Sequence, residues 1–218
     1  VTQMTTQAFL EFLHTYTQAL ETHKALLNTL DNRIGDGDHG TNMTRGFTSV
    51  MTTLENTPPV DVSQACQTTA MALLSSVGGA SGPLYSTVFM RFMTQWKGLT
   101  AVDTPQLTAG IGAALEGLQA RGKAQMGDKT MVDVWSPVAS LMTARNGDLD
   151  WAKVAETARG AALGTRDMVA KRGRAAYLGE RSRGTCDAGS ISSAIFFETL
   201  AVTLRKGIEP TQWDKLAL

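Results

Sequence analysis

Apolar residues recur at spacings of three and four along almost the whole chain, and a stripe of that period is buried by packing helix on helix. Phe9, Phe12, Leu13, Tyr16 and Leu20 form the first stripe, which continues through Leu26, Leu27 and Leu30 as one long helix. Further stripes predict helices over about 40–56, 61–77, 83–98, 104–120, 130–145, 150–171 and 190–206. No alternating run lies between turn signals, so no sheet is expected. The expected fold is all-α: a single-domain, up-and-down eight-helix barrel or bundle spanning residues 1–218.

The connections fall into two kinds. Asn56-Thr-Pro-Pro, Gly98 to Pro105 and Asn146-Gly-Asp are ordinary short turns. The loops 31–40, 77–83, 121–130 and 172–189 hold 12 of the 21 glycines, with most of the clustered small polar and charged residues. Alternate loops of an up-and-down arrangement meet at one end, so these four loops converge there. That end is the expected site.

The first of these loops reads Asp31-Asn-Arg-Ile-Gly-Asp36-Gly-Asp38-His39-Gly40-Thr41-Asn42. Three carboxylates so close repel one another unless a cation neutralises them, and Mg²⁺ takes oxygen ligands from a few carboxylates together with phosphate. An acidic helix-capping turn is the ordinary alternative, but one Asp would serve it. His39, at the expected start of the second helix, is placed to donate to a phosphate, with a structural histidine as the alternative. Gly35-x-Gly37-x-x-Gly40 matches the dinucleotide fingerprint only formally, because a helix precedes it. An EF-hand is excluded, because counting from Asp36 the twelfth position is Phe47. No Walker A sequence occurs.

Gly78-Gly79-Ala80-Ser81-Gly82-Pro83 suits close backbone approach to a phosphate or a tight helix–helix connection, and the loop alone does not decide. The fifth loop, from Arg121 to Thr130, mixes bases with turn residues, and Met131 after it suits either a flat base or the core. The basic seventh loop, from Lys171 to Ser182, is long enough to be functional if structureless.

These segments together resemble the L subunit of bacterial dihydroxyacetone kinases and the related C-terminal domain of ATP-dependent dihydroxyacetone kinases. The resemblance rests on Ile34–Asn42, Leu73–Tyr85, Arg121–Trp135 and Arg172–Gly189, in that order over about residues 5–205. It implies an eight-helix barrel whose Asp31, Asp36 and Asp38 hold two Mg²⁺ ions on ADP or ATP. It implies phosphate contacts from His39, Gly40, Thr41 and Asn42, and a nucleotide loop at Gly79, Ala80 and Ser81. Further nucleotide contacts are implied at Gly122, Met131, Arg174, Asp187, Ala188 and Gly189. Bound ADP would accept a phosphoryl group from a phosphohistidine-bearing M subunit and pass it to dihydroxyacetone on a K subunit, with no covalent protein intermediate. The same resemblance leaves open direct use of ATP on a small ketose, a regulatory role with a transcription factor as partner, and a homodimer. It also leaves open a lipid-like ligand inside the barrel. Two departures stand out: Thr185 where the pattern has His, and Ala188 where it has Pro.

Composition sets the remaining bounds. Lys+Arg and Asp+Glu are both 20, which argues against nucleic acid or an anionic membrane as the main partner. Two cysteines, Cys66 and Cys186, make neither a disulfide framework nor a zinc site. With no membrane-length apolar run and no signal peptide read at the N-terminus, a cytoplasmic protein is expected.

Overall fold

The long first stripe forms two helices, α1 (Thr6–Thr22) and α2 (Lys24–Ile34), broken at His23. The computed structural model describes residues 3–145 and 149–218, so the expected Asn146–Asp148 turn lies outside the described residues. The remaining helices are α3 (His39–Asn56), α4 (Val62–Ser76), α5 (Ser81–Gln95), α6 (Thr104–Gly122), α7 (Val132–Arg145), α8 (Trp151–Gly164), α9 (Ala188–Leu204) and the short α10 (Trp213–Ala217). From α3 onward each long helix packs on its successor, α9 packs back on α1, and α1 packs on α3. That closes a ring of eight, with α2 lying against α3 and α9. No described helix is long and apolar enough to cross a membrane.

A small sheet corrects the expectation of none. β1 (Gln3–Thr5) pairs antiparallel with β2 (Ala101–Asp103), Met4 opposite Val102. Met4 and Val102 are buried, and their strand neighbours are not. Three residues give too short an alternation to register as a strand signal. The seventh helix also stops sooner than its stripe suggested. α8 ends at Gly164, and a 3₁₀ turn at Thr165–Asp167 follows. Thr165 is fully buried there; its hydroxyl donates to Ala162 O (2.7 Å) and accepts from the Asp187 N–H (2.9 Å), so a tertiary contact overrides the apolar period. The long basic loop has structure of its own, 3₁₀ turns over Arg174–Ser182 with a kink at Gly179 (φ 54°).

Aromatic rings fill the centre of the ring of helices. Phe12 and Tyr16 of α1, Phe47 of α3, Phe89 of α5, Trp135 of α7 and Phe196 of α9 are all buried and linked through ring contacts into one network. Phe12 meets Phe196 edge-on at 4.9 Å, and Tyr16 meets Phe47 the same way at 4.9 Å. This interior is packed by the chain's own side chains. α9 is buried without a break from Ser190 to Ala201. The C-terminal segment packs near its outer side, where Thr211 hydrogen-bonds Glu198 and Trp213 is fully buried.

Candidate functional site

Up-and-down order puts the N-termini of α3, α5, α7 and α9 at one end of the ring. The four glycine-rich segments meet there around an open cleft of about 300 Å³. Each helix N-terminus carries unpaired N–H groups and partial positive charge, so four of them together favour an anion. The side chains sharpen this. Ala80 before α5 makes no side-chain cap bond. Gly79 takes the left-handed conformation (φ +66°) just ahead of α5, and a side chain on Gly82 would strike Val77 O at 2.4 Å.

The acid cluster borders the same cleft. Carboxylate oxygens of Asp31, Asp36 and Asp38 lie within 4.8 Å of one another. Asp31, at the end of α2, accepts the backbone N–H groups of Asp38 (2.9 Å) and His39 (3.1 Å), which folds the loop back on the helix. Burial raises its pKa, those two bonds oppose the rise, and the charges of Asp36 and Asp38 add to it. A set of three hard oxygen donors, mutually repelling and open to the cleft, fits Mg²⁺. Arg174 Nε lies 3.2 Å from Asp36 Oδ2, joining the seventh loop to the first.

His39 is buried and spends both ring nitrogens inside the protein. Nδ1 meets Ser81 Oγ at 2.9 Å, and Nε2 meets Ser192 Oγ at 2.9 Å. Burial pulls its pKa down to about 4, so the ring is neutral at pH 7. One proton arrangement satisfies the whole chain of groups. Ser192 donates to Gly189 O (3.1 Å) and accepts from His39 Nε2, and His39 Nδ1 accepts the Ser81 proton. Tyr85 joins at Ser192 Oγ (2.9 Å), carrying the network to the aromatic interior. The phosphate donor role expected of His39 therefore competes with bonds already made, and the first-turn N–H groups of α5 are better placed to donate.

Of the residues expected in the site, Asp31, Asp36, Asp38, His39, Asn42, Gly79, Ala80, Ser81, Gly122, Met131, Arg174, Asp187, Ala188 and Gly189 all line the cleft. Gly40 and Thr41 do not. A side chain on Gly40 would meet Lys24 O at 2.2 Å, and Thr41 exchanges two hydrogen bonds with Asn28, so both serve the packing of α2 on α3. Asn42 Oδ1 accepts from Arg45 (2.8 Å), which leaves its amide N–H groups for a ligand. Met131 is 5% exposed and borders an apolar pocket wall with Leu84, Leu118, Ala124 and Val132, a surface suited to a flat base. Sequence reading did not single out these four, because apolar residues at helical spacing read simply as core.

The two departures from the expected pattern fall at backbone positions. Asp187 caps α9, accepting Ser190 N (2.8 Å) and Ser190 Oγ (3.0 Å), and burial raises its pKa to about 6. Ala188 is then the first residue of α9, where Ala and Pro both fit. Thr185 contributes its carbonyl, which accepts from Lys129.

The DAK2 domain model matches residues 33–202, most of the chain, with the first glycine-rich segment from Arg33 on and the other three whole. The chain belongs to the DAK2 family. A relative from Lactococcus lactis, the ADP-binding subunit DhaL of a PTS-dependent dihydroxyacetone kinase, is 42% identical over 90% of this chain and 97% of its own length. The ADP-binding subunit DhaL of PEP-dependent dihydroxyacetone kinase 1 from Listeria innocua is 40% identical over 89% of this chain and 94% of its own. Bovine triokinase/FMN cyclase is 32% identical over 90% of this chain, which corresponds to 34% of that protein. The fold matches the dihydroxyacetone kinase of C. freundii, solved in complex with AMP-PNP and Mg²⁺, with a TM-score of 0.71 at 22% identity. That match covers 88% of this chain and 33% of the other. The DAK2 ring is thus found both as a separate subunit and as about a third of longer chains.

Proposed function

We propose that this chain is the magnesium-dependent, ADP-binding phosphotransferase subunit of a dihydroxyacetone kinase, acting as one nucleotide-binding domain. The observation that carries the reading is the convergence of Asp31, Asp36 and Asp38 on the same cleft as the uncapped start of α5, in a chain whose ADP-binding relatives it matches nearly end to end. Asp31, Asp36 and Asp38 would hold two Mg²⁺ ions, which supply positive charge to the phosphates and to the group in transfer. The N–H groups at Ala80 and Ser81, the amide of Asn42 and the first turn of α9 at Ala188 and Gly189 would orient the phosphates. Arg174 would exchange Asp36 for a phosphate. Met131 and the wall around Gly122 would take the base. The acceptor of the incoming phosphoryl group is bound ADP, so no protein nucleophile is required. A phosphohistidine protein is the donor, and dihydroxyacetone on a partner K subunit is the final acceptor.

A second reading, direct use of ATP, draws on the longer relatives, in which the DAK2 ring is about a third of the chain. Single-turnover phosphoryl transfer separates the two. The chain carrying ADP is mixed with a K subunit, dihydroxyacetone and a ³²P-phosphohistidine donor. Label reaching dihydroxyacetone through retained ADP supports the relay. Transfer that requires free ATP, with ADP leaving each cycle, supports the second reading. No transfer in either format, with nucleotide still bound, would favour a regulatory role.

A further inference from the structure

Lys129 is 2% exposed and holds a left-handed backbone (φ +63°). A buried charge and a positive φ on a residue with a Cβ are both unfavourable. They persist only where the surroundings compensate them. Here the ammonium donates to three backbone carbonyls, Met168 O (3.1 Å), Ser182 O (2.6 Å) and Thr185 O (2.6 Å). An ammonium has three protons, so these carbonyls saturate it. Lys129 borders the cleft, yet it has no proton left for a phosphate. It differs in this from a lysine that reaches out to a nucleotide.

The position of the three carbonyls gives the arrangement its meaning. Met168 lies at the entry to the basic loop, and Ser182 and Thr185 lie at its exit. One side chain therefore draws the two strands of the loop's neck together. Its neighbour completes the join: Asp128, 1% exposed, accepts Arg172 Nε (2.9 Å), and its carbonyl accepts Lys171 N (3.1 Å). Within the neck, Ser182 Oγ accepts from Ala170 N (2.8 Å). Beyond it the loop carries Arg174 across to Asp36, and at its exit comes the Asp187 cap of α9. The first and seventh loops meet at Arg174 and Asp36, beyond the neck that Lys129 closes.

We propose that Lys129 is a positioning residue of the cleft: it closes the neck of the 168–185 segment from the fifth loop, and thereby sets how fast bound nucleotide escapes, without touching the nucleotide. This rests on the nucleotide-binding reading above. The test uses the full chain with a fluorescent ADP analogue and Mg²⁺. Release is measured by chase and association by stopped flow, alongside amide hydrogen exchange of the nucleotide-free protein. Lys129→Met should release the analogue at least about ten-fold faster with little change in association. Amides of Ala170, Lys171 and Gly184 should exchange faster while those of the aromatic interior do not. Ser182→Ala loosens the same neck without removing a charge, and should speed release about two- to five-fold. That variant keeps the test alive if Lys129→Met does not fold. Unchanged release in either folded variant would overturn the proposal. So would a loss for Lys129→Met that grows from AMP to ADP to ATP, because that pattern marks direct phosphate contact. Wild-type protein that fails to bind the analogue would instead refute the nucleotide reading itself.

Discussion

The two ends of the ring are built from the same helices, and the cleft end differs in leaving one helix start, that of α5, without a side-chain cap. At the far end α1, α4, α6 and α8 begin on Thr5, Asp61, Asp103 and Asp150, each of which caps its helix by a side-chain hydrogen bond. Asp103 makes a full capping box with Gln106. At the cleft end Asp187 caps α9, Thr130 Oγ accepts Val132 N at the start of α7, and Asp31 and Asn28 of α2 accept the His39 and Thr41 N–H groups of α3, while the start of α5 has no side-chain cap. A side-chain cap stabilises the fold and takes one or two of the first-turn N–H groups, leaving fewer for an anion. An uncapped one forgoes that stability and keeps donors for an anion. At α5 the difference between the ends is therefore one between stability and binding.

The sharpest way to break this comparison is Asp36→Ala. It removes one of three converging oxygens and should abolish Mg²⁺-dependent nucleotide retention, read by equilibrium dialysis with and without EDTA. Unchanged retention would make the acid cluster a mere turn.

Acid should act at the cleft end through His39, whose folded pKa of about 4 lies below the unfolded value near 6.5. The unfolded chain takes up the proton first, so stability is whole above about pH 6.5 and is lost as pH falls toward 4. The loss is on the order of 3 kcal/mol. Asp187, raised to about 6, acts with the opposite sign, since the folded state gains its proton first as pH falls below 6. In nucleotide-free, metal-free protein the two should largely cancel between pH 6 and 4. His39→Gln should unmask Asp187, so that denaturant stability rises relative to wild type as pH falls through this window. Parallel pH curves for the two proteins would contradict the assignment.

Smaller effects should separate the ends cleanly. Ser81→Ala should weaken nucleotide binding by roughly 0.5–1.5 kcal/mol in a calorimetric titration, through the lost hydroxyl and its His39 partner. Asp103→Ala, at the far end, should cost about 1 kcal/mol of folding stability and leave nucleotide affinity alone. An affinity change there would mean that the ends are coupled.

The division between ends was legible in the sequence because glycines and clustered carboxylates mark loops, and apolar spacing marks helices. Asp31, Asp36, Asp38, Ala80 and Ser81 could be placed together on connection order alone. Gly40 could not be read so, since its need for glycine comes from Lys24 O of a neighbouring helix rather than from a ligand. The early stop of α8 at Gly164 and the burial of Lys129 were hidden for a related reason. Each depends on contacts between segments far apart in the chain, Thr165 with Asp187 and Lys129 with Ser182, which no local pattern encodes. The aromatic interior was visible as core, but a stripe of rings does not say whether room remains between them.

The most direct test of the central claim is the nucleotide content of the purified chain before and after EDTA, followed by exchange against labelled ADP. The account predicts ADP that stays bound, exchanges slowly and leaves when the metal is chelated. Nucleotide binding of equal strength with and without EDTA would contradict it.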